Sequence, residues 1–215
     1  MENKQREALP SKKNYVYREQ REEQDVVVKI FSDPQRFQRE KEIGGLLQGF
    51  NIAIPARLEV DQYRSTIVYQ YIKAQAVAEL LESLDFPKVE EIIKKLCAWL
   101  KEFYSIMDEQ KESPYILGDI HLRNFIFETS SGQVYGLDFE ECRPGRVESD
   151  VARLYVFILH YDPPFTPRKK ALAALFWETM ASALPMDKSF LRQEVKRESL
   201  ELINRRARKN MAINA

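Results

Sequence analysis

The chain of 215 residues carries 33 basic and 33 acidic side chains, so its formal net charge is zero. This length allows one large domain or two small lobes with a sizeable core. The balanced charge excludes a global electrostatic field that favours nucleic acid or a membrane surface. The first residues, Met1–Glu7, are polar and predict no signal peptide. No apolar run approaches the roughly 20 residues that cross a bilayer, and we expect a cytoplasmic protein with no membrane partner.

The first structured segment is predicted to form a pair of strands. Tyr15–Tyr17 alternates in the manner of a strand, a charged turn is expected through Glu19–Glu23, and a second strand follows at Val26–Phe31. The second strand contains Lys29 among four apolar neighbours. This setting predicts that the lysine is drawn toward the interior.

A helix is predicted directly after these strands. Asp33 supplies a capping side chain and Pro34 suits the first helical position, so the helix is expected to run to about Gly49. It carries Glu40 as the natural carboxylate partner for Lys29. Glu42 and Glu59 are the competing candidates for that role.

A hairpin is predicted next, with strands at 57–60 and 66–69 around the turn 61–64. After residue 72 the apolar period becomes helical. The sequence therefore predicts an N-terminal lobe of residues 1–72, built from a small sheet and one helix, and a helical C-terminal lobe of residues 73–215.

The most informative stretch is a loop, a hairpin and a second loop. Asp119 precedes Asn124 by five residues, two short apolar runs then flank the turn 130–133, and Asp138 follows. A hairpin brings its two ends together, so Asn124 and Asp138 are expected to face the same point. Two oxygen-bearing side chains converging there suit a hard divalent cation such as Mg²⁺. Asp119 is expected to lie within reach of whatever that metal activates.

The rest of the second lobe is predicted to be helical. An apolar stripe indicates a core helix at about 87–108, and further helices are expected at about 148–160, 167–183 and 187–208. Breaks fall at Asp162-Pro163-Pro164 and Leu184-Pro185.

Taken in order, these motifs resemble the protein-kinase-like phosphotransferase superfamily over roughly residues 14 to 160. They are the strand ending in a lysine, the helix with a glutamate, the Asp119 and Asn124 loop, the Asp138-Phe139 pair, and a helix start at Asp150. Aminoglycoside phosphotransferases, the small kinase of the tRNA-threonylcarbamoyl complex and the lipopolysaccharide-core kinases belong to this superfamily. The resemblance implies an α+β bilobal fold with an antiparallel-sheet N-lobe and a helical C-lobe.

The resemblance also implies a role for each motif residue. Lys29 would hold the α- and β-phosphates of ATP with Glu40 as its partner, and the backbone of Gln70, Tyr71 and Ile72 would bind the adenine edge. Asn124 and Asp138 would hold Mg²⁺ or Mn²⁺. Asp119 would orient or deprotonate the attacking hydroxyl, and Asp150 would brace the loop that carries it.

Three departures from the usual kinase pattern limit the resemblance. Residues 9–14 contain no glycine where a glycine-rich phosphate loop is usual, so Lys12 and Lys13 are the available charges. Glu140 replaces the glycine of the usual Asp-Phe-Gly, which makes a large loop flip less favourable. Only eleven residues separate Asp138 from Asp150, which leaves no room for a long activation segment.

The sequence therefore predicts an ATP-dependent phosphotransferase that acts on a hydroxyl of a small molecule or of a protein serine or threonine. The alternative is a pseudokinase, a nucleotide-binding or scaffold module without turnover. The basic run Arg205–Lys209 is interpreted as a solvated helix end that complements the helix dipole. Contact with RNA or a protein complex is the competing interpretation of that run.

Overall fold

The computed structural model of the chain describes residues 6–22 and 24–213, with side chains up to residue 208. Its contacts divide the chain into two compact units. The first unit contains Met1–Ala76 and Asn124–Cys142, and the second contains Val77–Arg123 and Arg143–Ala215. The lobes predicted from the sequence, 1–72 and 73–215, stay a prediction. The segment Asn124–Cys142, which contains Asp138, belongs to the first unit.

The described residues begin with three strands and end with three consecutive helices. The strands are β1 (Arg6–Ala8), β2 (Tyr15–Arg21), β3 (Gln24–Ile30), β4 (Arg57–Asp61), β5 (Thr66–Gln70), β6 (Gln75–Ala76), β7 (Tyr115–Ile116), β8 (Phe125–Glu128), β9 (Gln133–Gly136) and β10 (Arg143–Pro144). The helices are α1 (Pro34–Leu47), α2 (Val77–Ser83), α3 (Phe86–Gln110), α4 (Val147–His160), α5 (Pro167–Ala183) and α6 (Lys188–Ile213). Leu122–Asn124 forms a short 3₁₀ turn.

The first unit is built on a five-stranded antiparallel sheet in the order β1-β2-β3-β5-β4. Because side chains alternate between the faces of a strand, Val26 and Val28 of β3 join one buried cluster with Tyr17 and Val68. Lys29 directly follows Val28 and therefore points to the opposite face. That face also carries Ile67, which is paired with Lys29 in the register of β3 and β5.

The β2–β3 turn is shorter than the charged turn predicted at Glu19–Glu23. Glu19 lies inside β2 opposite Val26, and the strand continues to Arg21. The strand accommodates Glu19 because its buried carboxylate accepts hydrogen bonds from Arg6 and Arg21. The residue Glu23 lies outside the described residues.

Helix α1 begins as the sequence predicts and ends two residues before Gly49. The carboxylate of Asp33 accepts a hydrogen bond from the backbone N–H of Gln35, and Pro34 occupies the first turn. Phe37 packs with Phe31 and Ile67 on the sheet face that carries Lys29. Glu40 lies three residues further along the same buried side of the helix.

A second, three-stranded sheet completes the first unit, in the order β6-β8-β9. The β8–β9 hairpin is the one predicted from the sequence. Its register pairs Phe125 with Gly136, so the residues that flank the hairpin, Asn124 and Leu137, lie side by side.

The second unit is helical. Helix α3 buries the predicted stripe, and α4 and α5 follow the predicted bounds within one residue. Helix α6 continues past the predicted end at residue 208 to Ile213. The short elements β1, α2, β6, β7 and β10 were not predicted. Among the described residues no helix combines the length and hydropathy that a membrane crossing needs.

Candidate active site

Lys29 is the centre of a buried ionic cluster in the first unit. Its Nζ lies 2.9 Å from Asp138 Oδ1, 3.1 Å from Glu140 Oε2 and 3.5 Å from Glu40 Oε2. The residue is only 8% exposed. Burial by itself lowers the pKa of the Lys29 ammonium, but the carboxylates of Glu40, Asp138 and Glu140 reverse this effect and hold the pKa above its usual value.

Of the three glutamates considered as partners of Lys29, the structure places Glu40 beside it. The Glu40 carboxylate also accepts hydrogen bonds from the Tyr69 hydroxyl at 2.8 Å and from the backbone N–H of Phe139 at 2.6 Å. Burial raises the pKa of the Glu40 carboxyl, and the Lys29 ammonium opposes that rise. Glu42 instead accepts a hydrogen bond from Gln38, and Glu59 pairs with Arg21.

Asp138 occupies a strained backbone position next to the cluster. Its φ of 66° lies in the left-handed region, where aspartate and asparagine are tolerated better than most other residues. Strain of this kind concentrates at functional sites. The side chain is 41% exposed, so one part of the carboxylate contacts Lys29 and another part meets solvent.

The hairpin places Asn124 beside Leu137, the residue before Asp138, and the convergence of the Asn124 and Asp138 side chains on one metal stays a prediction. The backbone N–H of Leu137 donates to the carbonyl oxygen of Asn124 at 2.8 Å, which fixes the loop that carries Asp138 against the start of the hairpin. Among the described residues no three His, Cys, Asp or Glu side chains cluster closely enough to form an all-protein metal cage. One carboxylate and one amide oxygen fit Mg²⁺, which usually takes few protein ligands and completes its shell with phosphate oxygens and water.

The loop that replaces the glycine-rich segment is fixed to the residues that follow Asp138. The Asn14 side-chain amide donates to Glu140, and Lys13 Nζ pairs with Glu141 at 2.9 Å. The Ser32 hydroxyl donates to the backbone carbonyl of Lys13 at 2.7 Å. In the sequence, Glu140 is conspicuous only as the replacement of a glycine, and Asn14 was not predicted as a site residue.

The backbone of the predicted adenine-binding segment is partly engaged already. The Gln70 N–H donates to the Ala56 carbonyl at 2.8 Å, and the Tyr71 N–H donates to the Asp25 carbonyl at 3.3 Å. Of the three predicted residues, Ile72 is left as the candidate for donating a backbone N–H to adenine. Gln70 and Tyr71 line a groove of about 400 Å³ whose other lining residues are Arg18, Gln24, Asp25 and Lys73.

In the second unit, the Asp119 loop is held by buried polar groups. Asp150 accepts hydrogen bonds from the backbone N–H groups of Leu117 and Gly118 at 2.7 and 3.1 Å, and from the Tyr104 hydroxyl at 3.0 Å. Burial raises the pKa of Asp150, and these donors oppose the rise. These hydrogen bonds give Asp150 the bracing contacts that the resemblance implies.

The Asp119 side chain itself is 49% exposed, so its carboxylate is accessible to a molecule from solvent. Gly118, directly before it, has a φ of 79° that a residue with a side chain rarely adopts. Arg153 Nη1 lies 3.9 Å from Asp119 Oδ1. Arg153 was not predicted as a site residue, although it follows Asp150 by three residues and the two side chains therefore lie on one helical face.

The basic run near the C-terminus has at least one internal contact. Arg206 donates to the backbone carbonyl of His160, the last residue of α4. Arg206 therefore complements the C-terminal end of α4, whereas the interpretation from the sequence placed this charge at the end of its own helix, which continues to Ile213. The side chain of Lys209 lies outside the described residues.

No family profile matches the chain, and no curated protein is found as a relative. Solved structures do match. The amicoumacin kinase hAmiN, in complex with AMP-PNP, Ca²⁺ and Ami, has a TM-score of 0.63 at 14% identity, covering 89% of this chain and 79% of its own. A putative aminoglycoside phosphotransferase from Ralstonia eutropha JMP134 has a TM-score of 0.60 at 11% identity, covering 91% and 74% respectively.

These similarities confirm the predicted α+β fold of the protein-kinase-like phosphotransferase type. At this level of identity they establish the fold and leave activity to be argued from the site.

Proposed function

We propose that the chain is an ATP-dependent phosphotransferase that transfers the γ-phosphate to the hydroxyl group of an acceptor. The observation that carries the proposal is the buried cluster of Lys29, Glu40 and Asp138 within a kinase-like fold. A buried ammonium held by carboxylates is the arrangement that phosphate binding in such folds requires. The exposed part of Asp138 and the neighbouring Asn124 supply oxygens for a divalent metal.

In the proposed reaction, Lys29 binds the inner phosphates and Glu40 keeps its ammonium oriented. Asn124 and Asp138 would hold Mg²⁺ or Mn²⁺, which would neutralise negative charge on the phosphates of ATP. The acceptor oxygen forms a bond to the γ-phosphorus while the bond to the β–γ bridging oxygen breaks and ADP leaves. Asp119 orients the hydroxyl and takes its proton.

For the acceptor, we favour a small molecule over a protein serine or threonine. Eleven residues between Asp138 and Asp150 are too few for a long peptide-docking segment. The solved structures of the same fold are an amicoumacin kinase and a putative aminoglycoside phosphotransferase, both named for small-molecule acceptors.

The test is transfer of label from [γ-³²P]ATP with Mg²⁺ or Mn²⁺, first to a metabolite extract and then to a denatured protein extract. We expect a labelled small molecule that disappears with the Asp119→Asn variant. Label in serine or threonine residues instead moves the acceptor to the protein class.

The pseudokinase alternative has two observations in its favour. Three carboxylates surround Lys29, and the loop at residues 9–14 is fixed by Asn14 and Lys13 rather than formed by mobile glycines. A protein that binds Mg-ATP in a calorimetric titration but transfers label to neither extract, and does not hydrolyse ATP, is a pseudokinase.

A further inference from the structure

Both polar groups of the Gly118 backbone are bound by side chains of one helix. The N–H donates to Asp150, and the carbonyl accepts a hydrogen bond from Arg153 Nη1. Asp150 and Arg153 are three residues apart on α4, so they lie one above the other on the same face. Because Gly118 immediately precedes Asp119, this helix fixes the peptide from which the Asp119 side chain extends.

The guanidinium of Arg153 is held in turn by the C-terminal helix. Its Nε and Nη2 donate to the two oxygens of Glu198 of α6, both at 3.1 Å. This is the planar, bidentate geometry that gives an arginine–carboxylate pair its directional strength. Glu198 is only 2% exposed, so water does not compete for its carboxylate.

Arg153 also forms a long ion pair with Asp119, in which Nη1 lies 3.9 Å from Asp119 Oδ1. The bidentate bonds to Glu198 fix one edge of the guanidinium, and Nη1 is left to donate to the Gly118 carbonyl. Without the Glu198 charge, the guanidinium can turn and shorten its contact with Asp119.

We propose that Arg153 and Glu198 are a positioning pair that orients Asp119 for proton transfer and restricts Arg153 to a long contact with the Asp119 carboxylate. The inference rests on the proposed function for its catalytic consequence. Its structural part, restraint of the Gly118 peptide by α6 through Arg153, is independent of any reaction.

The experiment compares Arg153→Met, Arg153→Lys and Glu198→Gln with Arg197→Met as the matched control. Arg197 pairs most closely with Glu194, at 2.6 Å, and contacts Glu198 only at 3.4 Å, and its side chain is 53% exposed. Each variant is measured for kcat, for the ATP KM and for hydrogen exchange of the peptide that spans residues 116–124.

We expect Arg153→Met and Glu198→Gln to lower kcat by about 10- to 100-fold, the range in which a misplacement of about 1 Å affects catalysis. The ATP KM should stay within about twofold, Arg153→Lys should retain an intermediate kcat, and the control should match wild type. Because the two residues act through one contact, the Arg153→Met, Glu198→Gln double variant should be no slower than Arg153→Met alone. Exchange in 116–124 should accelerate in Arg153→Met and not in the control.

Two results overturn the positioning pair. Unchanged exchange of residues 116–124 in Arg153→Met removes the restraint itself, whether or not the protein turns over. Additive losses of kcat in the double variant, or equal losses of kcat and ATP binding in all variants, show a general structural role. A wild-type protein that has no turnover contradicts the proposed function instead, and the exchange measurement then decides the restraint alone.

Discussion

Asp138 combines two requirements that rarely coincide in one residue. Its backbone adopts a left-handed φ of 66°, and its carboxylate contacts Lys29 while remaining partly open to solvent. A glycine would satisfy the backbone and a glutamate the charge, but aspartate and asparagine tolerate this φ best among residues with side chains. Asparagine is therefore the substitution that isolates the charge.

We predict that Asp138→Asn abolishes metal-dependent ATP binding while the fold is kept. The variant loses the carboxylate that binds the metal, and Lys29 loses one of the anions that compete with phosphate. ATP without metal should therefore bind as well as to wild type, or better. Calorimetric titrations with ATP, in EDTA and in Mg²⁺, measure both effects. The control is Asp108→Asn, at an exposed position of α3. A variant whose Mg-ATP affinity is unchanged removes Asp138 from the metal site.

For Asp119 the prediction separates binding from chemistry. Asp119→Asn should leave ATP affinity nearly intact and lower turnover at least about 10²-fold, the lower range for a positioned acid–base group. The amide keeps the shape of the side chain and removes the proton acceptor. Steady-state rates with the acceptor, and background ATP hydrolysis without it, supply the measurement. Wild-type turnover in this variant excludes Asp119 as the base.

At the scale of elements, the loop at residues 9–14 takes the place of a glycine-rich cover. A glycine-rich loop approaches phosphates through its backbone, whereas this loop is fixed by side-chain bonds from Asn14 to Glu140 and from Lys13 to Glu141. Glu140 in turn contacts Lys29 at 3.1 Å. The position of the loop is thus coupled to the residue proposed to bind phosphate.

We predict that Asn14→Ala weakens Mg-ATP binding by about fivefold, which corresponds to the loss of about one net hydrogen bond. The rate at saturating ATP should not change, because Asn14 contacts no group proposed to react. The matched control is Gln38→Ala, which removes a side-chain hydrogen bond to Glu42 on the exposed side of α1. Equal affinities of Asn14→Ala and the control would show that the loop does not contribute to the nucleotide site.

The elements that the sequence predicted are those whose signals are local. A capping Asp33 with Pro34 marks the start of α1, and a turn between two apolar runs marks the hairpin that Asn124 precedes and Asp138 follows. The contacts of Asn14 with Glu140 and of Arg153 with Glu198 span 126 and 45 residues. Nothing in the neighbouring sequence marks such pairs, because both partners read as ordinary polar surface residues.

The charged turn predicted at Glu19–Glu23 was wrong for a related reason. Charge along the chain is a good signal for solvent exposure, but Glu19 is buried by a partner that comes from β1, an element with only three residues. Short strands such as β1 and β6 carry too few residues for a period to be read. Their places are set by the longer strands that pair with them.

At the scale of the whole molecule, each of the two units contains one of the chain's two cysteines. Cys97 lies on α3 in the second unit and Cys142 follows the Asp138 loop in the first, and both are buried. Burial raises the pKa of the Cys97 thiol to about 12, so almost no Cys97 thiolate is present at pH 8 while the thiol stays buried. We therefore expect neither thiol to react with a disulfide reagent in the native protein.

The last prediction uses Cys142 as a probe of nucleotide binding that requires no acceptor. In Cys97→Ser protein, labelling of Cys142 in mild denaturant should be slowed by Mg-AMP-PNP, because a ligand that binds only the folded first unit lowers the open population by the factor 1 + [L]/Kd. At a ligand concentration of about 100 Kd the slowing approaches 100-fold. The Asp138→Asn variant supplies the control, since its Mg²⁺-dependent protection should be lost. Labelling that Mg-AMP-PNP leaves unchanged at any concentration contradicts nucleotide binding by the unit that holds Lys29 and Asp138, and with it both the kinase and the nucleotide-binding pseudokinase.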